Sequence, residues 1–492
     1  MTTRQKVVII GSGLGGLSSG VILSKLGYDV TVLEQAQQVG GCLQCFSRGG
    51  VRFETGMHFV GSADEGQVLH RLLSYLEVLP DIELSRLDTS AYNIISLAGQ
   101  RFRFANGREA FIDTLLQQFP HQGDCLSRYF DTVQQVADVC GLGQMQESSV
   151  SDTLMHYQLV SMGDVLAQTI SDPQLRAVLC GDLPLYAGVP DQTPFALHAQ
   201  LADFYNRSSF RIRGGSDRLA SSMVRTIERY GGRVLVRSRV SRVLCDDRCA
   251  TGVEVNGSHF LPAQVIVSAI HPQVLFPLLS GNLLRPAYRS RIASIPNTPS
   301  VFSLYLKFKP GTMPYMNSNF FSYRDNHPWG CEHYDQASWP KGYLYMHFCP
   351  EAETAWAQSG VVLSYMHIHD CDAWLHTAIG HRGHDYEEWK RQKAEQMLDE
   401  MERDFPSIRS QIEAYYTASP LTYLDYNSTP EGSMYGIVRD VSAGPDYRIS
   451  YRTRVPNLLL VGQNVNSHGI LGVLVGTLMA CGSLAGPGKI YL

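Results

Sequence analysis

The sequence predicts an α/β chain. A Rossmann-like dinucleotide-binding domain, assembled from discontinuous segments, stands beside an α+β domain. Three observations carry this reading. Val7-Val8-Ile9-Ile10 is a short apolar run of the kind that forms a buried parallel strand, and Gly11-Ser12-Gly13-Leu14-Gly15-Gly16 follows at once. The helically spaced stretch Leu17–Leu26 then leads to a second apolar run, Val30–Leu33, which ends in the acid Glu34. A third strand–glycine–helix unit, Asn457–Val461, Gly462 and a helix from about Gly469, closes the chain. Gly11 permits the tight turn, Gly13 lets the backbone approach a pyrophosphate, and Gly16 lets helix and strand pack closely. The helix N-terminus presents free N–H groups and a partial positive charge to phosphate, and Leu14 and Gly15 count with the glycines as cofactor-binding positions. Glu34 is placed to accept hydrogen bonds from a ribose.

At 492 residues a single core is not expected, and 44% hydrophobic with 18% charged residues is a globular composition. A net charge of −5 argues against a nucleic-acid partner, so Arg211–Arg213 and Arg233–Arg242 read as solvated faces. No apolar run reaches the roughly 18–20 residues of a membrane span; Ile470–Ala480 is too short and dotted with glycine. The first strand starts almost immediately, so no export signal is expected, and the eleven cysteines are expected as reduced thiols in the cytoplasm. Peripheral membrane contact through a surface patch stays compatible with this composition.

Residues 66–200 read as mostly helical, with apolar spacing in Val68–Leu79, Ala110–Phe119, Leu126–Val139 and Val165–Ala177 and breaks near Pro80, Pro120, Gly141 and Pro184. Gly214-Gly215-Ser216-Asp217 opens a helix to about Tyr230. The strands Arg233–Val236, Ser241–Leu244, Ala250–Val255 and Val265–Ala269 follow, with a hairpin turn at Asp246-Asp247-Arg248. Residues 300–310 and 342–349 read as strands of another sheet, and Tyr386–Asp404 as an exposed amphipathic helix. Dinucleotide-type elements at the start, middle and end make one cofactor domain of 1–65, 206–275 and 450–492. The stretches 66–205 and 276–449 form a substrate-binding domain.

A fingerprint at the N-terminus paired with a C-terminal strand–Gly–helix unit suits the long cofactor FAD better than a nicotinamide. Glu34 followed by Gly40-Gly41 resembles the FAD-binding opening of the flavin amine oxidase superfamily. Gly40-Gly41-Cys42 with Phe53-Glu54-Thr55-Gly56-Met57-His58-Phe59-Val60-Gly61 is similar to its phytoene desaturase, carotenoid isomerase and retinol saturase-like branch. By that resemblance Gly56, Met57 and His58 pass near the flavin ring, and Val240 meets the adenine edge. Gly462-Gln463-Asn464 and Gly469-Ile470-Leu471-Gly472-Val473 hold the ribityl chain and ring. Cys42 stands where many members carry an arginine, and Gln463-Asn464 where an acid often binds the ribityl hydroxyls.

The resemblance implies an FAD-dependent oxidoreductase acting on carbon–carbon bonds of a long apolar conjugated substrate by hydride transfer at flavin N5. Saturation, desaturation and isomerisation stay open. The same scaffold carries amine and protoporphyrinogen oxidases and non-catalytic prenyl-protein binding factors of the GDP-dissociation-inhibitor type; the intact Glu34 and Gly40-Gly41 argue against the last. His58 and His468 are the candidate catalytic side chains, each with a structural alternative, loop support for His58 and capping for His468. Cys42-Leu43-Gln44-Cys45 has redox-dithiol spacing, with packing beside the cofactor as the plainer reading. His367 and His369 would share one face of a strand, as a metal site requires, but no ligand signature completes it, and no metal is expected. Aromatic residues in 300–350 (Phe302, Tyr305, Phe308, Tyr315, Phe320, Phe321, Tyr323) and 415–435 suit either a ligand lining or a sheet core. No second dinucleotide fingerprint occurs, so the sequence assigns no electron partner.

Overall fold

The computed structural model describes residues 4–140, 151–486 and 488–490; the expected break at Gly141 lies outside them. Five parallel strands form the first sheet, in the order Arg233–Leu235, Asp29–Leu33, Lys6–Ile10, Val265–Ser268, Leu458–Leu460. Strand side chains alternate faces. Val7 and Ile9 therefore enter one core with Leu17, Val21 and Leu474, while Val8 and Ile10 enter another with Val253, Leu275 and Leu458. The first face carries the helices Leu14–Lys25, Asp217–Arg229 and Gly469–Ala485. The second carries the antiparallel strands Val240–Cys245, Ala250–Val255 and His259–Pro262. Both faces are covered, so the strands read as continuous apolar runs, and each buried Val, Leu or Ile contributes roughly 1.5–3 kcal/mol.

Gly16 shows why this layering needs glycine. A Cβ there would stand 1.9 Å from the Gly11 carbonyl oxygen. The apolar helix Gly469–Ala485 is a core element, and no helix among the described residues is long and apolar enough to cross a membrane.

The second sheet has seven strands, ordered Ile412–Ala418, Ser300–Phe308, Ser359–Met366, Gly342–His347, Asn319–Tyr323, Asn93–Leu97, Gln100–Phe104. Its last two strands correct the helical expectation for residues 66–200. Asn93–Leu97 and Gln100–Phe104 form a hairpin whose turn residues, Ala98 and Gly99, both have positive φ, 48° and 86°. Leu84–Arg86 is a strand as well. The single helix expected over Val165–Ala177 is two, Met162–Thr169 and Pro173–Leu179. Pro173 starts the second, and Asp172 caps it by accepting from the Gln174 and Leu175 N–H groups.

One sheet face, with Ile95, Phe321, Leu344 and Tyr365, packs on the helices of residues 108–207. The other, with Phe302, Leu304, Phe320 and Tyr345, packs on Ala394, Met397 and Met401 of the helix His384–Asp404. That helix is therefore not a mere surface element. Its buried end holds Asp404, which accepts from Ser96 Oγ (3.1 Å), Ser322 Oγ (2.6 Å) and Tyr343 Oη (2.8 Å). All eleven cysteines are free thiols.

Burial holds the imidazoles of His198 and His271 down to about 4 and those of His347 and His468 down to about 3. An unfolded histidine titrates near 6.5, so between that pH and about 4 the unfolded chain takes up protons that the folded chain refuses. Stability from these groups is present above pH 6.5 and is lost as pH falls. Asp182, which burial pushes up to about 7, opposes them with one group. Each histidine changes stability by about 1.4 kcal/mol per pH unit inside its window. Thermal melts should show Tm falling steadily from pH 6.5 to 4.5; a flat or rising Tm would contradict the buried, neutral imidazoles.

Candidate functional site

Between the two sheets runs a cavity of about 490 Å³, and its outer end is built by glycine. Gly11 N–H donates to the Leu33 carbonyl (2.8 Å), which folds the chain over the end of the strand Asp29–Leu33. Gly40 N–H donates to the Ser12 carbonyl (3.0 Å), bringing Gly40 (φ 115°) and Gly41 (φ 54°) beside Gly13. A Cβ on Gly41 would meet Gly13 Cα at 3.3 Å, and one on Gly15 would meet Gly462 N at 3.0 Å. A Cβ on Gly13 would meet nothing within 4 Å. Gly13 is thus open toward the cavity, while its neighbours are fixed by close backbone contacts.

Two helices open onto this space. The helix Leu14–Lys25 has Gly13 as its N-cap and Gly469–Ala485 has His468, and neither residue caps with its side chain. Their first N–H groups are therefore available to a ligand oxygen. Glu34 Oε2 accepts from Ser12 N–H (2.9 Å) and Ser12 Oγ (2.6 Å), and Oε1 accepts from Ala36 N–H (2.8 Å). Three of its roughly four lone-pair sites are filled, which orients the carboxylate and leaves capacity for a hydroxyl.

Most of the expected positions border the cavity. Every predicted glycine lines it except Gly16 and Gly472, and Leu14, Glu34, Met57, His58, Val240, Gln463, Asn464, Ile470 and Val473 line it too. Gly16 serves helix–strand packing, Leu471 is in the core, and a Cβ on Gly472 would press on Ser467 at 2.5 Å. Asn464 has half its amide committed, because its Oδ1 accepts from Ile437 N–H (3.0 Å).

The two candidate histidines part company. His58 lines the cavity, neither ring nitrogen has a hydrogen-bond partner among the described residues, and its Nδ1 lies 3.6 Å from Glu54 Oε2. That separation allows charge attraction but is too long for a hydrogen bond. His468 does not border the cavity. It is buried behind Tyr435, with ring centroids 4.9 Å apart. Burial first, then Arg439, keeps His468 neutral.

Other sequence candidates resolve differently. Cys45 is buried 3.7 Å from Ser216 Oγ, and burial above all pushes its thiol up to about 12, so it rests as a protonated thiol, and of the two cysteines Cys42 is the one that lines the cavity. His367 and His369 share no strand face, because the strand ends at Met366. His367 Nε2 sits 2.6 Å from the Glu332 carbonyl, and His369 is on the surface.

The inner end of the cavity lies against the seven-stranded sheet. It is lined by Pro184, Leu185, Val301, Leu344, Leu363 and Met434 together with Tyr205, Tyr323, Tyr365, Tyr423 and Tyr435; Tyr343 borders it too, but its ring lies on the opposite sheet face with its hydroxyl on Asp404. Of the aromatic residues singled out in 300–350, only Tyr323 lines it. Phe302, Phe308 and Phe320 point to the opposite face, a consequence of strand alternation. Tyr205, Tyr343 and Tyr365 were not among the sequence candidates. Leu363 and Tyr365, two residues apart on one strand face, both reach the cavity, as strand alternation requires. Glu34 is the only carboxylate among the described lining residues, and it sits at the outer end beside Ser238 and Arg239, with Ser238 N–H donating to its carbonyl (2.7 Å).

A glycine-built cradle faced by two helix N-termini, with an acid set for a ribose, fits FAD, and it defines a flavin-dependent oxidoreductase. The chain belongs to the flavin-containing amine oxidoreductase family, which matches residues 14–475, and its cofactor is FAD. Within that family it falls in the phytoene desaturase, carotenoid isomerase and retinol saturase-like group. It is 28% identical to the all-trans-retinol 13,14-reductase of Macaca fascicularis, over 98% of this chain and 85% of that protein. It is 22% identical to the chloroplastic prolycopene isomerase 1 of an Oncidium hybrid cultivar, over 97% and 83% of the two chains. The structure of putrescine oxidase bound to putrescine shares the fold, with a TM-score of 0.66 at 15% identity over 98% of this chain and 99% of that one.

Two glycine substitutions separate folding from cofactor binding. Gly16→Ala should destabilise the protein by roughly 1–3 kcal/mol or more, seen as a lower Tm. Gly13→Ala should leave the Tm of the flavin-free protein unchanged and abolish flavin absorbance in the purified protein. Retention of flavin by Gly13→Ala would contradict the close approach at that position.

Proposed function

We propose that this chain acts on carbon–carbon bonds of a long, apolar, conjugated substrate, a carotenoid- or retinoid-like polyene, in saturation, desaturation or isomerisation. The observation that carries the reading is the continuity of one cavity from the glycine cradle to an apolar, tyrosine-lined end without a carboxylate. The names of the retinol reductase and prolycopene isomerase relatives support it. An amine substrate on the same scaffold would bring an ammonium group, and desolvating that charge needs a nearby acid. Among the described lining residues the acid is Glu34 alone, at the wrong end.

In this reading the cofactor residues are those of the cradle, from Gly11 through Glu34, Gly40-Gly41 and Gly56–His58 to Val240, Gly462–Asn464 and Gly469–Val473. Segments 1–65, 206–275 and 450–492 form the cofactor domain, and 66–205 with 276–449 the substrate domain. When bound, FAD supplies hydride acceptance or donation at its N5. The chain's own residues do the rest. Apolar side chains at the inner end exclude water, and the tyrosine rings hold an extended conjugated chain in one orientation. His58 holds the movable proton. Glu54 stands on the Nδ1 side of the ring, which leaves Nε2 to deliver a proton to a substrate carbon during saturation or to receive one during desaturation.

The test is anaerobic. Enzyme reduced in the absence of oxygen should be reoxidised by an all-trans polyene such as all-trans-retinol, or oxidised enzyme bleached by a saturated counterpart, while putrescine leaves both unchanged. Bleaching by putrescine with no response to polyenes would contradict the reading. His58→Gln should retain flavin and Tm and lose about a hundredfold in turnover; unchanged turnover would leave His58 a structural role.

A further inference from the structure

Hydrogen-bond accounting at the inner end of the cavity singles out two residues. Four of its six tyrosine hydroxyls are already spent. Tyr323 donates to the Gly181 carbonyl (2.6 Å), Tyr435 to the Pro184 carbonyl (3.0 Å) and Tyr343 to Asp404 (2.8 Å). Tyr423 lies 3.1 Å from Ser303 Oγ and 3.3 Å from the Thr55 carbonyl. Two further polar groups there are spent too, with Ser364 Oγ donating to the Gly342 carbonyl (2.7 Å) and Cys331 Sγ to the Pro328 carbonyl (3.1 Å). Tyr205 and Tyr365 line the same end, and neither hydroxyl has a hydrogen-bond partner among the described residues.

These two are not stray surface groups. Tyr365 is only 8% exposed, on the last turn of pleat in the strand Ser359–Met366. Tyr205 stands on the helix Phe195–Arg207, its ring 4.8 Å from that of Phe59, the residue after His58. Both residues border the same cavity. Burial raises both phenols far above neutral pH, so each is a standing O–H donor. A buried donor facing an otherwise apolar space stays costly until it meets an acceptor.

We infer that Tyr365 and Tyr205 are the groups that hold an oxygen atom of the substrate, so the enzyme selects an oxygenated polyene, with a hydroxyl or carbonyl group, over a hydrocarbon of the same length. The inference rests on the polyene reading above and sharpens it. A site built to hydrogen-bond a hydroxyl rejects the analogue that lacks it, because the buried donors are then left unpaired. It also separates two roles, since His58 serves the proton and the tyrosine pair serves orientation along the cavity.

The experiment titrates the flavin-loaded, full-length enzyme with all-trans-retinol and with its deoxy hydrocarbon, in which CH3 replaces CH2OH, following the flavin absorbance spectrum. Retinol should bind at least tenfold tighter. Tyr365→Phe and Tyr205→Phe should each weaken retinol binding roughly two- to tenfold and leave the hydrocarbon unchanged. Because neither hydroxyl has an internal partner, both variants should keep flavin content and Tm. Equal affinity for the two ligands, or an equal loss for both ligands in the variants, would overturn the inference while leaving the polyene reading intact. A lower Tm would also overturn it, by showing that the hydroxyl serves the fold. If neither ligand perturbs the flavin, the polyene reading itself fails and takes this inference with it.

Discussion

The rest of the structure depends on one close approach of backbone to backbone. Gly15, at the start of the first helix, lies against Gly462, at the end of the last strand, with no room for a side chain between them. Gly41 closes on Gly13 from the other side. These contacts join the two ends of the chain into one rim and put two helix N-termini on the same space. Any added Cβ would push the segments apart. Gly13 faces outward from that rim and is the exception whose smallness serves a ligand rather than a neighbour.

The second sheet supplies what the first cannot. A parallel sheet with both faces covered offers a binding edge at the ends of its strands but no enclosure. Here the seven-stranded sheet stands across that edge, and its pleat assigns alternate residues to the helix His384–Asp404 and to the cavity. The same alternation that buries Phe302 and Phe320 away from the site points Tyr323 and Tyr365 into it. The outcome is a cavity polar at one end, through backbone N–H groups and Glu34, and apolar at the other, with a few placed hydroxyls. That polarity gradient suits a charged cofactor and an uncharged substrate sharing one space.

Much of the cradle was legible in the sequence because its physics is local. A strand, a glycine turn, a helix and an acid at fixed spacing have few alternative explanations, and Gly40-Gly41 and Gly462 extend that logic. The inner end was not legible, because it depends on pairings between distant segments. Asn93–Leu97 lies parallel to Asn319–Tyr323, and no local pattern announces that partnership. The hairpin at Ala98-Gly99 carried a turn signal that the surrounding apolar helical spacing masked. Tyr205 sits on a helix among many apolar residues, so its contact with the cavity follows only from how that helix packs. His468 shows the reverse error. Its place before the terminal helix is local and correct, but Tyr435, brought in by a distant segment, stands between it and the cavity.

The central claim is that one cavity seats FAD at its glycine end and leaves the tyrosine end for substrate. A crystal structure of the flavin-loaded protein tests it most directly. The account predicts the adenosine ribose at Glu34, the pyrophosphate against Gly13 and Gly15, and the flavin ring between Met57-His58 and Ile470–Val473. Open space bounded by Tyr205 and Tyr365 should lie beyond the ring. A flavin ring filling the tyrosine end, or seated outside this cavity, would contradict it.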